Sequence, residues 1–305
     1  MERMKNHFRS KKARKNLFIF SMLAVPVAGV LVFWLYVNLS SFEMAFRQTT
    51  ADGEIRYGLQ NFRIVLERLT APGSDLFIAI RNTAIYFVSG FIVSYVFTLA
   101  LSYFLYKKIF GYKYFRFVFF IPNIVSSLIL VTVYRFFIAV GGPLDELLKA
   151  LGMANIPEWL GDSRYATWTI VVFTVWAGFG ANMLLFNGAM ARVPKELLEY
   201  AKIDGVSMTR EFFQIILPLI WETLATMLVM TTVGAIGASG PILLFTQGQY
   251  DTWTLSYWIF DQVAVSGSTS YELPAALGVI MTVITVPLVL LVKKITSLFY
   301  RDIQY

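Results

Sequence analysis

The sequence predicts an all-α membrane protein with six transmembrane helices and both termini cytoplasmic. Three observations lead there. Its 305 residues are 57% hydrophobic and only 15% charged, against roughly 25% charged in ordinary soluble domains. Six apolar runs, at 17–39, 76–106, 115–140, 165–190, 217–238 and 273–299, each reach the length of about 20 residues that crosses the hydrocarbon core. Lys and Arg concentrate on alternate connections between these runs, and short segments rich in them resist translocation.

Taken in chain order, residues 1–16 form a basic cytoplasmic tail carrying Arg3, Lys5, Arg9, Lys11, Lys12, Arg14 and Lys15. The first transmembrane helix, 17–40, is too long for the apolar region of a secretion signal and lacks a small-x-small cleavage site, so it reads as a retained anchor. An extracytoplasmic loop follows at 41–75, with Ala71-Pro72-Gly73 near its end and too short for a domain of its own. Residues 76–299 then read as one core of five transmembrane helices. Its second-to-third connection carries Lys107, Lys108, Lys113 and Arg116, and the long loop 191–216 carries Arg192, Lys195, Lys202 and Arg210. Lys293 and Lys294 precede a short cytoplasmic tail, 300–305, that holds Arg301. The opposite connections are sparser in cations, with none between Gly240 and Leu273. The net charge of +7 is thereby explained by orientation in the membrane, without a nucleic-acid partner.

The loop 191–216 has a pattern of its own. Pro194 suits a first helical turn, and Lys195 to Ile203 are good helix formers. On a helical wheel Leu197, Leu198 and Ala201 share one side, while Lys195, Glu196, Glu199 and Lys202 crowd the other. Gly205 can take positive φ and stop the helix, Ser207 or Thr209 can cap a second one, and Pro218 bends that second helix as it enters the bilayer. The expected product is an L-shaped element across the cytoplasmic face. Its two acidic residues, Glu196 and Glu199, suit a protein partner better than an anionic membrane surface, where a basic face is favoured.

Glu199, Ala201 and Gly205, followed by Ile215, Leu217 and Pro218, have the spacing E-x-A-x-x-x-G-x9-I-x-L-P. This resembles the EAA loop of binding-protein-dependent ABC importer permeases, with Tyr200 replacing the usual first alanine. "NTAIY" at Asn82, "FRFVFFIP" at Phe115, "WLGD" at Trp159 and "VWAGFGANMLLF" at Val175 resemble the first of the two permeases in the carbohydrate-uptake, maltose-type branch. The resemblance implies that 191–216 contains a coupling helix docking on an ATPase subunit through Glu196, Glu199, Ala201, Asp204 and Gly205. It also implies the partners: a second permease, an ABC ATPase dimer that holds the ATP and Mg, and an extracytoplasmic solute-binding protein delivering a carbohydrate, expected to be an oligosaccharide. The implied setting is a bacterial-type inner membrane. Where the family usually carries a glycine-proline run, this chain reads Thr246-Gln247-Gly248-Gln249-Tyr250, a departure on the outward side that bears on the solute and not on coupling.

The residues themselves agree with an external energy source. No G-x-x-x-x-G-K-[ST] occurs, so no P-loop cradles nucleotide phosphates here. Zero cysteines and a single histidine, His7, exclude thiolate sites and HExxH zinc chemistry. No nucleophile lies beside a plausible base within the spans, which argues for a transport subunit and against an enzyme. An ion-coupled carrier is the competing class, but it needs ionisable groups inside the bundle, and the only acidic residue in the six runs is Glu222 near a cytoplasmic end. An importer permease for a non-sugar solute is a further alternative.

A path for a neutral, hydroxyl-rich solute needs uncharged hydrogen-bonding groups, aromatic faces and small residues that leave room. The fourth run offers Thr174, Trp176, Gly178 and Asn182, with Thr174, Gly178 and Asn182 at i, i+4 and i+8. The fifth offers Thr231, Gly234, Ala235 and Ala238. Small residues at this spacing also let membrane helices pack closely with no ligand, so both readings stand for these positions. Resemblance to the maltose-type permease aligns its sugar contacts with these two runs.

Overall fold

The computed structural model describes residues 2–50, 54–237, 241–265 and 271–299, with side chains described from residue 14 onward except at 235 and 265. Its contacts divide the chain into two units, Met1–Ile64 with Thr269–Val279, and Val65–Ser268 with Ile280–Tyr305.

In the first unit, helix α1 (Arg14–Phe46) has none of its most apolar stretch buried. Leu17, Phe20, Phe33 and Trp34 all lie open. An unbroken apolar surface on this scale is stable only against lipid or another protein. The helix runs beyond residue 40, where the apolar pattern ends, and its polar side chains Asn38 and Ser41 are satisfied on the carbonyls of Trp34 and Val37 (2.6 and 3.0 Å). Arg47 is extended (ψ 138°) and ends it. Strands β1 (Arg47–Thr49) and β2 (Ile55–Tyr57) pair antiparallel, Arg47 opposite Tyr57. The buried Asn61 amide fastens this hairpin to the helix by donating to the carbonyls of Ala45 (3.0 Å) and Arg47 (2.7 Å). Tyr57 donates to Glu43 at 2.8 Å, and the carboxylate holds the phenol's proton above its ordinary range. Thr49 donates to Glu272 at 3.0 Å. The region after residue 40 is therefore built structure, and helix α2 (Gln60–Thr70) follows it.

In the second unit, α3 (Asp75–Tyr106) starts at Ser74, whose hydroxyl caps Phe77 N–H. Then come α4 (Tyr112–Ile124), α5 (Ser127–Ile138), α6 (Pro143–Ala150), α7 (Ala166–Met190), α8 (Lys195–Ile203), α9 (Met208–Leu219) and α10 (Trp221–Ile236). Two short helices, α11 (Ile242–Phe245) and α12 (Leu255–Phe260), precede α13 (Glu272–Leu298), whose residues up to Val279 belong to the first unit and whose remainder belongs to the second.

Among the described residues, five helical segments are long and apolar enough to cross a membrane: α1, α3, Ser127–Ala150, α7 and α13. A sixth appears if α9 and α10 count as one span, and they meet at 76°. The bend expected from Pro218 is thus present, centred on Ile220. The turn ahead of it, Glu211–Ile216, is π-type; the widening relieves the clash a proline ring makes with the carbonyl four residues earlier. The expected third run, 115–140, is not one helix. Pro122 withdraws a donor near the end of α4, and Val125 (ψ 140°) and Ser126 (ψ 137°) are extended, so the chain breaks before α5.

α7 is the centre of this unit, packed against α4 and the second half of α3. Helices in lipid gain little from apolarity alone, because the surroundings are equally apolar, so close backbone approach and dispersion decide their contacts. Gly180 shows the consequence. A Cβ there would lie 2.7 Å from the Phe119 carbonyl oxygen and 3.1 Å from the Phe120 Cα, so only glycine lets α4 come this near. On another side of α7, Phe186 and Met190 are fully buried with Ile216 and Leu224. Tyr95 meets Phe186 edge-on at 5.3 Å and donates its hydroxyl to the Leu224 carbonyl at 2.9 Å.

Candidate functional site

The elbow after α7 places the expected contact residues in two environments. Ala201 is 5% exposed, and Leu198 packs on the core formed by residues such as Phe186 and Met190. Glu196, Glu199, Asp204 and Gly205 are exposed. Gly205 takes φ +68°, and the Ser207 hydroxyl caps α9 by accepting from Arg210 N–H. Leu197 departs from the wheel: at 38% exposure it faces outward, with Tyr200 (66%) and Ile203 (79%) beside it. A nine-residue helix cannot bury a wide stripe on a neighbour that touches only one ridge of it. The outward face of α8 therefore joins carboxylates to uncovered apolar side chains.

The elbow is fixed to α3 by a group that the sequence pattern does not single out. Glu211, 5% exposed, accepts two hydrogen bonds from Lys107 Nζ, both 2.9 Å, and one from the Tyr103 hydroxyl at 3.3 Å. The same hydroxyl reaches the Met208 carbonyl at 2.9 Å, and the Tyr103 ring packs on Phe212 at 4.8 Å. A buried carboxylate is costly unless paired and hydrogen-bonded, and Lys107 and Tyr103 both converge on this one. The only sequence signal is an acidic residue at the head of the apolar stretch Phe212 to Pro218. Its partner lies 104 residues away.

At the opposite end of α7 a loop takes the place of the elbow. Residues Gln247, Gly248, Tyr250 and Asp251 have φ of +54°, +80°, +55° and +56°. For three non-glycine residues this left-handed backbone costs on the order of 1–2 kcal/mol each, so the surroundings must impose it. The fully buried Asn82 amide donates to the carbonyls of Asp251 (2.6 Å) and Trp253 (2.9 Å). Thr167 donates to Asp251 O at 3.3 Å, and the Thr246 and Thr252 hydroxyls meet at 2.6 Å. Leu255 N–H donates to Thr83 at 3.0 Å, and the Trp258 indole to Asp75 at 2.7 Å. Nearby, Asp162 takes the Arg164 guanidinium at 2.7 Å and its backbone N–H at 2.9 Å. These bonds hold the Asp162 carboxyl below the usual carboxylate range.

The expected path residues do not form one group. Asn182 and Thr231 line a cavity of about 810 Å³ between α7 and α10, with Thr226, Thr223, Arg192 and Glu222 towards the elbow. Arg192 donates to the Thr223 hydroxyl at 3.0 Å. Thr174 instead lines a separate hollow of about 470 Å³ with Ser127, Tyr257 and Phe260. Its hydroxyl is turned back to the Ile170 carbonyl at 2.8 Å. Gly178 lies between, with a Cβ there 3.8 Å from the Ser94 hydroxyl. Trp176 is half-buried against Phe173, ring centres 5.9 Å apart. Gly234 is exposed, the Ala235 side chain is not among those described, and Ala238 lies outside the described residues. The physical reason is drift: every fourth residue advances about 40° around a helix and about 6 Å along it, so Thr174 and Asn182 face different neighbours. Thr223 and Thr226 were not among the expected path residues, though both continue the threonine-rich side of α10.

Residues 90–305 match the family described as binding-protein-dependent transport system inner membrane component. The chain is 27% identical over 303 residues to the arabinooligosaccharides transport system permease protein AraP of Bacillus subtilis (strain 168), covering 96% of this chain and 91% of that one. It is 26% identical over 189 residues to the lactose transport system permease protein LacF of Rhizobium radiobacter, covering 60% and 63%. Its fold is similar to a chain of a bacterial ABC transporter involved in the import of the acidic polysaccharide alginate, with TM-score 0.81, 19% identity, and 95% and 99% of the two chains covered. A second structure of the alginate transporter, in complex with alginate pentasaccharide-bound periplasmic protein, matches with TM-score 0.80 at 19% identity, covering 94% and 97%.

Proposed function

The chain belongs to the binding-protein-dependent transport system inner membrane components, multi-pass transport subunits and not enzymes, and from that premise we propose that it is the permease subunit of an ATP-driven oligosaccharide importer. The observation that carries the reading is the elbow: a short helix whose carboxylates and apolar side chains point outward while Ala201 and the Glu211 clamp bind it to the core. A helix so attached transmits a push as a lever does. ATP and Mg belong to a separate ATPase pair that grips this helix through Glu196, Glu199, Asp204 and Gly205.

Both termini and the elbow face the cytoplasm in this reading, in keeping with the distribution of Lys and Arg. A second permease completes the passage, and a solute-binding protein delivers to the opposite face, where the loop of residues 246–254 lies. The cavity between α7 and α10 supports a neutral polyhydroxy solute. Its amide and three hydroxyls, Asn182, Thr223, Thr226 and Thr231, can exchange hydrogen bonds with sugar hydroxyls while Leu185, Met227 and Met230 cover the ring faces. The sugar relatives, transporters of arabino-oligosaccharides and lactose by name, lean the same way.

The test is the complete transporter reconstituted in vesicles with Glu199→Lys, which reverses charge at an exposed position and leaves the clamp intact. Solute-stimulated ATP hydrolysis and uptake are expected to fall together while assembly in the membrane persists. Full coupling in that variant, or uptake by this chain alone down an imposed ion gradient, overturns the proposal.

A further inference from the structure

α7 divides two cavities of unlike chemistry. The one shared with α10 presents hydroxyls and an amide, with charges of both signs, Arg192 and Glu222, towards the elbow. The other, about 590 Å³, opens between α7 and α4 near the elbow, and its lining includes Lys113, Arg116, Phe117, Phe120, Leu184 and Gly188 but no acidic residue. Lys113 and Arg116 are exposed, and among the described residues neither has an ion-pair or hydrogen-bond partner. They stand one turn apart at the start of α4. Phe117 and Leu184 are 62% and 60% exposed, and Phe120 follows about 10 Å along the helix axis from Lys113.

The shape follows from two glycines. At Gly180 the helices are in contact, since a Cβ would strike the α4 backbone; at Gly188, two turns on, a Cβ would meet nothing within 4 Å. The helices part between these points and leave a wedge lined by the exposed cations Lys113 and Arg116, by the exposed ring of Phe117 and by the half-buried ring of Phe120. A free inorganic anion would gain from the cations and nothing from the rings. A molecule with an anionic head and an apolar tail matches both.

We propose that this wedge binds an anionic phospholipid, its phosphate between Lys113 and Arg116 and its acyl chain along Phe117, Phe120 and Leu184. Basic pockets between membrane helices favour such headgroups, and Arg116 can take two phosphate oxygens at once. Occupancy would fill the gap between α4 and α7 beside the elbow.

The test uses the full chain with its co-expressed subunits, drawn from vesicles of equal parts phosphatidylcholine and phosphatidylglycerol and examined by native mass spectrometry. Selective retention of phosphatidylglycerol is expected. It should fall roughly 30-fold in Lys113→Gln with Arg116→Gln, at about a fivefold loss per cation removed near the surface. Gly188→Phe, which fills the wedge and keeps both charges, should lower retention as well, and excess inorganic phosphate should displace nothing. Equal retention of both lipids, retention unaffected by either variant, or displacement by phosphate overturns the proposal. So does a disulfide cross-link from Phe117→Cys to another protein chain, which would put protein where the lipid is assigned.

Discussion

At one end of α7 the loop of residues 246–254 is held by neutral groups. The Asn82 amide and the Thr167 hydroxyl donate to main-chain carbonyls, and two threonines join across the turn. At the other end the elbow hangs on an ion pair, Lys107 with Glu211, assisted by the Tyr103 hydroxyl. Bonds from short side chains to backbone leave little freedom and impose a left-handed loop that its sequence disfavours. A lysine reaching a carboxylate keeps its grip through small displacements, because charge attraction falls off slowly with distance. The difference teaches that one end is fixed by short neutral side chains on the backbone while the other is fastened by a long side chain and opposite charges.

The largest expected effect strikes the ionic end. Glu211→Leu strands the Lys107 ammonium and should cost about 3 kcal/mol, the lower part of the range for breaking a buried pair, because Lys107 still reaches water. It would be read as a fall in the unfolding midpoint of the purified complex. Adding Lys107→Met should recover much of that loss; no recovery would mean that charge is not what holds this end. Next comes Asn82→Ala, which removes a buried amide and its two hydrogen bonds to the carbonyls of Asp251 and Trp253 and should cost about 2 kcal/mol by the same measurement. Resistance of the loop at Gln249 to proteolysis should drop with it, and an unchanged cleavage rate would contradict a loop held from α3. Tyr103→Phe keeps the ring on Phe212 and loses only the hydroxyl, for about 1 kcal/mol. Smallest is Glu199→Lys, within about 0.5 kcal/mol of the parent because the side chain stands in solvent. A large loss of stability there would mean that α8 is fastened by its outer face as well.

The elbow is legible almost residue by residue in the sequence. Its features are local: a glycine at positive φ, a serine cap, a proline bend and an amphipathic turn all act within a few neighbours. Even there the wheel misplaces Leu197, since burial depends on what α8 packs against. The path is less legible. Thr174, Gly178 and Asn182 repeat every four residues, yet the structure parts Thr174 from Asn182 and brings Asn182 to Thr231. Glu211 and Asn82 carry no local sign of being fastenings, because their partners lie 104 and 169 or more residues off. The run 115–140 reads as one helix because hydropathy registers apolar content and not the missing donor of Pro122.

What this sequence determined alone is its class and its punctuation. Apolar length, the placement of Lys and Arg, and the turn chemistry from Pro194 to Pro218 follow from interactions with solvent, lipid and adjacent backbone, which are present wherever the chain is. What only the tertiary structure decided is which side chains meet: the clamp from Lys107 to Glu211, the loop held by Asn82, and the helices that touch at Gly180 and part by Gly188. Those contacts join segments far apart in the chain, and in a membrane, where apolarity does not tell one helix from another, their choice rests on steric fit and buried hydrogen bonds that no short stretch of sequence contains.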